Sequence, residues 1–174
     1  VHYTPDSEFG PYWSLTLWED IRAVGNNHHD FTSTQNIDLK SIEEKINLEA
    51  ALQALGHKRR KNVGFITMDP PEHTKHRKAV APGMGPAILA KMEPIMRERA
   101  GFILDNLPIG LPFDWVDKVS KELTATVLAT LFDFPFEDRR LLTYWSDILM
   151  CEPGHGPVKS WEHKAEETVK CYQA

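Results

Sequence analysis

His73 and Arg77 stand four residues apart in the stretch MDPPEHTKHRK, residues 68–78. On a helix that spacing puts both side chains on one face. Arg77 carries a permanent cation on a planar donor fork that matches a carboxylate or phosphate. A ring nitrogen of His73 donates to the same kind of group. Together they suit a clamp for an anion of modest size. A solvated helix face produces the same spacing, and spacing alone favours that plainer reading. His73 and His76, three apart, raise the question of a shared metal. A zinc site needs further ligands at defined spacing, yet no His-Glu-x-x-His pattern occurs and Cys151 and Cys171 lie far away in sequence. A metal held by protein side chains is not expected.

The remaining candidates are weaker. HKRRK, residues 57–61, is a run of four cations after a histidine. It reads first as a solvated loop and second as a contact for an acidic partner. No Gly-x-Ser-x-Gly nucleophile turn and no Gly-x-x-x-x-Gly-Lys phosphate loop is present. APGMGPA, residues 81–87, lacks the strand and helix setting of a phosphate loop and reads as a connector. Trp115, Phe132, Phe134, Phe136, Tyr144 and Trp145 are most simply core.

The elements that must position these groups are mainly helical, with a small β element at the front. VHYTPDSEFGPYWSLT reads as strand with a turn at FGP, and PYWSLTLW, residues 11–18, as a strand or hairpin edge. EDIRAVGNN offers a short helix with Ile21 and Val24 on one face, ending near Gly25. Ile42, Ile46 and Leu48 recur at roughly helical spacing. Asp69 has the chemistry of an N-cap and Pro70 that of a first helical residue, so the next helix should run to Ala81, with Pro82 stopping it. Residues 87–107 carry Ile88, Met92, Ile95, Met96, Phe102 and Ile103 on a stripe that Pro94 should kink or restart. Val116, Val119, Leu123, Val127 and Leu131 form a second stripe over 116–132. PFEDRRLLTYWSDILM is a further helix with Glu137 and Asp138 near its start. A last helix begins near Val158. No internal repeat is visible.

Composition narrows the classes. The chain has 174 residues and a formal net charge of −5, which offers no electrostatic case for nucleic acid. Two widely spaced cysteines suggest reduced thiols and a cytoplasmic setting. No apolar run approaches the roughly 20 residues of a membrane span, and no signal-peptide pattern opens the chain. It begins on Val1 and closes inside a helical pattern, so both ends look cut and residues 1–174 are expected to be a single incomplete domain.

With its flanks, the opening stretch becomes FITMDPPEHTKHRKAV, which resembles the helix C region of bacterial cytochrome P450 monooxygenases, the haem-thiolate enzymes. The family pattern Asp-Pro-Pro-x-His-x-x-x-Arg falls on Asp69, Pro70, Pro71, His73 and Arg77. GPYWSLTLWEDIRAVGNNHHDFTS resembles the family's first strand and helix B. Residues 87–107 resemble helix D, and residues 116–132 with LFDFPFEDRRLLTYWSD resemble helices E and F. The combination MDPP, FDWV and LATLFDFP looks most like the bacterial subfamily that hydroxylates the terminal carbon of alkanes and fatty acids.

The resemblance implies a partial cytochrome P450 fold, from the first strand through helices B to G. It implies haem b held at its propionates by His73 and Arg77, with NAD(P)H electrons arriving through a ferredoxin reductase and a ferredoxin. Dioxygen and a hydrophobic small molecule are the implied substrates. Gly64, Phe65, Ile66 and Thr67 would form one substrate wall, and Ile148, Leu149 and Met150 at the end of helix F a lid. Lys75, Lys78 and Arg59 would meet the ferredoxin, while His76 stays a surface residue. The family's helix I, its Glu-x-x-Arg pair and its Phe-x-x-Gly-x-x-x-Cys-x-Gly loop do not occur in these residues, so neither cysteine is the expected axial ligand and the chain alone should be inactive. Two readings of other classes remain: a helical interaction module using HKRRK, and a haem protein without oxygenase activity.

Overall fold

The computed structural model describes residues 1–34, 39–58 and 64–174. These form two compact units, Val1–Gly83 and Met84–Ala174.

The first unit opens with strands β1 (His2–Thr4) and β2 (Tyr12–Ser14), paired antiparallel with Tyr3 opposite Trp13. That cross-strand pair stacks with ring centroids 4.7 Å apart, the kind of contact that stabilises a short ladder. Helix α1 spans Trp18–Asn26 and α2 spans Ile42–Ala54. Ser41 caps α2 by accepting from the Glu44 amide at 2.9 Å, and the Ile42 amide donates to the Glu8 carbonyl at 2.8 Å. Leu48, Ala51 and Leu52 are the buried apolar face of α2, whereas Ile42 and Ile46 are exposed. A 3-10 turn at Phe65–Thr67 leads into α3, Glu72–Val80.

The start of α3 departs from the sequence expectation. Its N-cap is Pro71, without a side-chain cap bond, and the helix ends at Val80 ahead of a 3-10 turn, Ala81–Met84. Asp69 does not cap it. Its carboxylate accepts from the Ser33 amide and the Thr32 hydroxyl instead, and of the two amides a cap at 69 would reach, Pro71 has none and only that of Glu72 is left.

The second unit is a helical stack. Helix α4 spans Pro86–Asp105 and runs through Pro94 as one helix, so the expected restart does not occur. Gly85 and Pro86 set its start, in the order that favours helix initiation. A π-helical turn, Val116–Lys121, runs directly into α5, Glu122–Phe132. Asp133 closes α5 in the left-handed region, with φ 52°. Helix α6 spans Arg139–Met150, and α7, Trp161–Gln173, starts three residues after the expected Val158 because Ser160 caps it by accepting from the His163 amide at 3.2 Å. Helix α5 packs on α4 and α6, and α6 on α7. Ala125, Thr126, Ala129, Trp145, Ile148, Val158, Ala165 and Lys164 are buried at these contacts. Two guanidinium groups lie over the Phe136 ring, Arg139 at 4.3 Å and Arg99 at 4.6 Å, and Arg139 also pairs with Glu122 at 2.6 Å. No helix among the described residues is long and apolar enough to cross a membrane.

Candidate haem-anchoring site

Helix α3 carries no buried residue. Its nine residues hold three permanent cations, Lys75, Arg77 and Lys78, against one acid, Glu72. Arg77 and Lys78 fall in the last turn, where cations complement the helix dipole. His73 and Arg77 are one turn apart on this helix, with Cβ atoms roughly 5–6 Å apart. His73 is half-buried and Arg77 exposed. The Phe65 ring flanks His73 with centroids 6.1 Å apart. Neither His73 nor Arg77 makes a side-chain hydrogen bond or ion pair with another described residue. Their donors therefore remain available to an external anion. Lys75, His76 and Lys78 are exposed as well. Arg59 and the HKRRK residues after Lys58 lie outside the described residues.

Asp69 holds the approach to α3. Its Oδ1 accepts from the Ser33 amide at 2.9 Å, and its Oδ2 accepts from the Thr32 hydroxyl. The Ser33 amide, then the Thr32 hydroxyl, keep the Asp69 carboxyl below its usual range, and the charges of His28 and His73 add to that shift. The Asp69 carbonyl also accepts the His73 amide at 3.0 Å, which links the carboxylate to the first turn of the clamp. Spacing within α3 gives no hint of this role, because the partners lie 36 and 37 residues away.

The expected substrate residues differ in exposure. Gly64, Phe65 and Ile66 are exposed in the turn ahead of α3, whereas Thr67 is buried and its hydroxyl donates to the Gly64 carbonyl at 2.9 Å. On α6, Ile148 is fully buried, Leu149 half-buried and Met150 exposed. Cys151 and Cys171 are free thiols, both half-buried, and burial pushes the Cys171 thiol above its ordinary value.

The donor set fits haem propionates: one fixed cation with a fork of donors and one imidazole, side by side beside an aromatic ring. The chain is 31% identical over 168 residues to linalool 8-monooxygenase of Pseudomonas putida, covering 95% of this chain and 40% of that protein. Among solved structures it superposes on CYP153D17 from a Sphingomonas species with a TM-score of 0.76 and 34% identity, covering 99% of this chain and 41% of that one. Cytochrome P450-153 from Novosphingobium aromaticivorans matches with a TM-score of 0.66 and 38% identity over 85% of this chain and 36% of that one. No family model matches. Over nearly its whole length the chain is similar to cytochrome P450s, and its architecture is that of part of the cytochrome P450 fold. It spans about two fifths of the length of the relatives it matches.

Proposed function

We propose that His73 and Arg77 hold the two propionate carboxylates of a haem b group in a monooxygenase that hydroxylates an apolar substrate. The observation that carries this reading is the His73–Arg77 pair on α3, half-buried and exposed respectively, one turn apart and without side-chain hydrogen bonds or ion pairs among the described residues. Haem iron, when bound, supplies the activation of dioxygen from which one oxygen atom enters a C–H bond. The residues of this chain bind and orient. Arg77 neutralises one carboxylate through charge-assisted hydrogen bonds, and His73 donates to the other. Both units count as parts of one domain in this reading.

For the substrate, Phe65 and Ile66 ahead of α3 offer apolar surface, and so do Leu149 and Met150 at the end of α6. Gly64 and Thr67 belong to the same turn as Phe65 and Ile66, and Ile148 precedes Leu149 on α6. Apolar surface of this kind suits an alkyl chain, and terminal hydroxylation of an alkane or fatty acid is the finer form of the proposal. Its support is the likeness of the MDPP, FDWV and LATLFDFP segments to that subfamily. Electrons, ultimately from NAD(P)H, would arrive from an acidic ferredoxin and its reductase. Lys75 and Lys78, exposed beside the clamp, give the charge complementarity that such a donor needs.

The test is Arg77→Ala in the full-length protein. Removing one fork of charge-assisted bonds should cost about 1.5–3 kcal/mol of haem affinity, roughly tenfold or more in haem release. Unchanged haem content and an unchanged reduced-carbonyl Soret band would refute the assignment.

A further inference from the structure

We infer that Asp69 is a positioning residue for the His73–Arg77 clamp, acting through the Thr32–Ser33 segment that its carboxylate grips. The inference rests on the propionate reading and extends it to residues that do not touch the haem. A helix with no buried residue gains little orientation from apolar packing. Nor is α3 tied down by a side-chain N-cap. What remains at its start is Asp69, whose carbonyl accepts the His73 amide at 3.0 Å while its carboxylate spans to Ser33 at 2.9 Å.

The far end of this tether is itself ordered. The Asn27 side chain accepts from the Asp30 amide at 3.3 Å and donates to the Asp30 carboxylate at 2.7 Å. The Thr34 amide donates to the Thr32 oxygen at 3.1 Å, and the two threonine oxygens are 2.8 Å apart. A hydroxyl has one proton to give. With the Thr32 proton committed to Asp69, the Thr34 hydroxyl must be the donor in that pair. The donor count closes only if Asp69 is the acceptor at the centre, so the segment presents a fixed pair of donors to the carboxylate. Any tilt of the first turn of α3 then strains two hydrogen bonds, and the clamp one turn further on keeps its aim.

The experiment measures transfer of haem from the full-length, haem-loaded protein to an excess of apomyoglobin. Asp69→Ala should speed release roughly threefold to tenfold, the span expected for losing a hydrogen-bonded tether. Thr32→Val, which keeps the shape and removes the donor, should reproduce part of that change. Asp69→Asn, which keeps an acceptor for Ser33, should fall between wild type and Asp69→Ala. Amide exchange at His73 should rise in Asp69→Ala. The deciding measurement is the cycle of Asp69→Ala with Arg77→Ala. If Asp69 works through the clamp, the double variant releases haem more slowly than the product of the two single effects predicts. Simple multiplication of the two effects would overturn the positioning role, as would wild-type release from both Asp69→Ala and Thr32→Val. If Arg77→Ala alone leaves release unchanged, the propionate reading itself has failed and the inference falls with it.

Discussion

Lys164 of α7 donates from its ammonium to the carbonyl of Cys151, the residue that ends α6, at 2.7 Å. Lys164 is fully buried, and its ammonium lies 5.8 Å from the centre of the Trp161 ring. The carbonyls of the last helical turn have no partner inside the helix, so this bond satisfies one of them and fastens the end of α6 to α7. Leu149 and Met150, the proposed substrate surface on α6, sit directly before that fastening. Burying a cation opposes the gain, but removing it strands a carbonyl that is worth about 1–3 kcal/mol when left unsatisfied. Lys164→Met keeps most of the stem volume and removes the donor. The expected result is a stability loss of about 1–3 kcal/mol by urea unfolding, with faster amide exchange at residues 148–151. An unchanged urea midpoint would show that the desolvation cost cancels the bond.

The helices were largely legible in the sequence, but their buried faces were not. Met92 and Ile103 of the α4 stripe are buried as expected, whereas Phe102 on the same stripe is 70% exposed. The stripe drawn through Val116, Val119, Leu123, Val127 and Leu131 is half-buried or exposed throughout. Its assumption of a constant helical period fails at the π turn, Val116–Lys121, which carries more residues per turn and rotates α5 relative to the residues before it. Within α5 the buried residues are Ala125, Thr126 and Ala129. Small side chains let α4 and α6 approach α5 closely, and size, not hydrophobicity, decides which face goes inside.

That geometry makes the centre of α5 intolerant of bulk. Ala129 is 2% exposed and Ala125 is fully buried. Ala129→Leu adds three carbons where neighbours already touch, and overpacking of this kind costs typically about 1–3 kcal/mol. A thermal melt should show Tm lowered by several degrees. Phe132→Leu, at a site 61% exposed, should stay within about 0.5 kcal/mol of wild type. If Ala129→Leu were as mild as Phe132→Leu, the close approach of the three helices would be wrong.

The shared face of His73 and Arg77 was legible for a different reason. Both are local to one helix, so their common face follows from the spacing, and the propionate ligand proposed for them rests on the surrounding motif. Asp69 lay in the same stretch, yet its role was hidden. Local chemistry suggested a cap, but the carboxylate is taken up by Thr32 and Ser33, partners joined to it only by the fold. Contacts between distant segments leave no periodic trace in one sequence. Lys164 was invisible on the same grounds, since a lysine in a helix is expected on the surface.

Another bond between α6 and α7, from Trp145 to Glu167, should depend on pH. Glu167 of α7 accepts from Lys170 at 2.5 Å and from the indole nitrogen of Trp145 on α6 at 3.4 Å. The Lys170 bond is the larger cause of a Glu167 carboxyl held below its ordinary value of 4.5, with the Trp145 bond adding to it. A carboxyl with a lowered folded pKa binds fewer protons than the unfolded chain around that value. Its contribution is therefore complete above pH 4.5 and disappears as pH falls through the depressed value. Lys170 behaves in the opposite sense: its value is raised by Glu167, so its part is complete at neutral pH and is lost only as pH rises beyond its raised value. Glu167→Gln keeps the shape and removes the charge. The difference in Tm between wild type and Glu167→Gln should be constant from neutral pH down to about 5 and should shrink below 4.5. A difference that persists unchanged well below pH 4.5 would mean that shape, not the carboxylate charge, makes the contact between Glu167 and its partners.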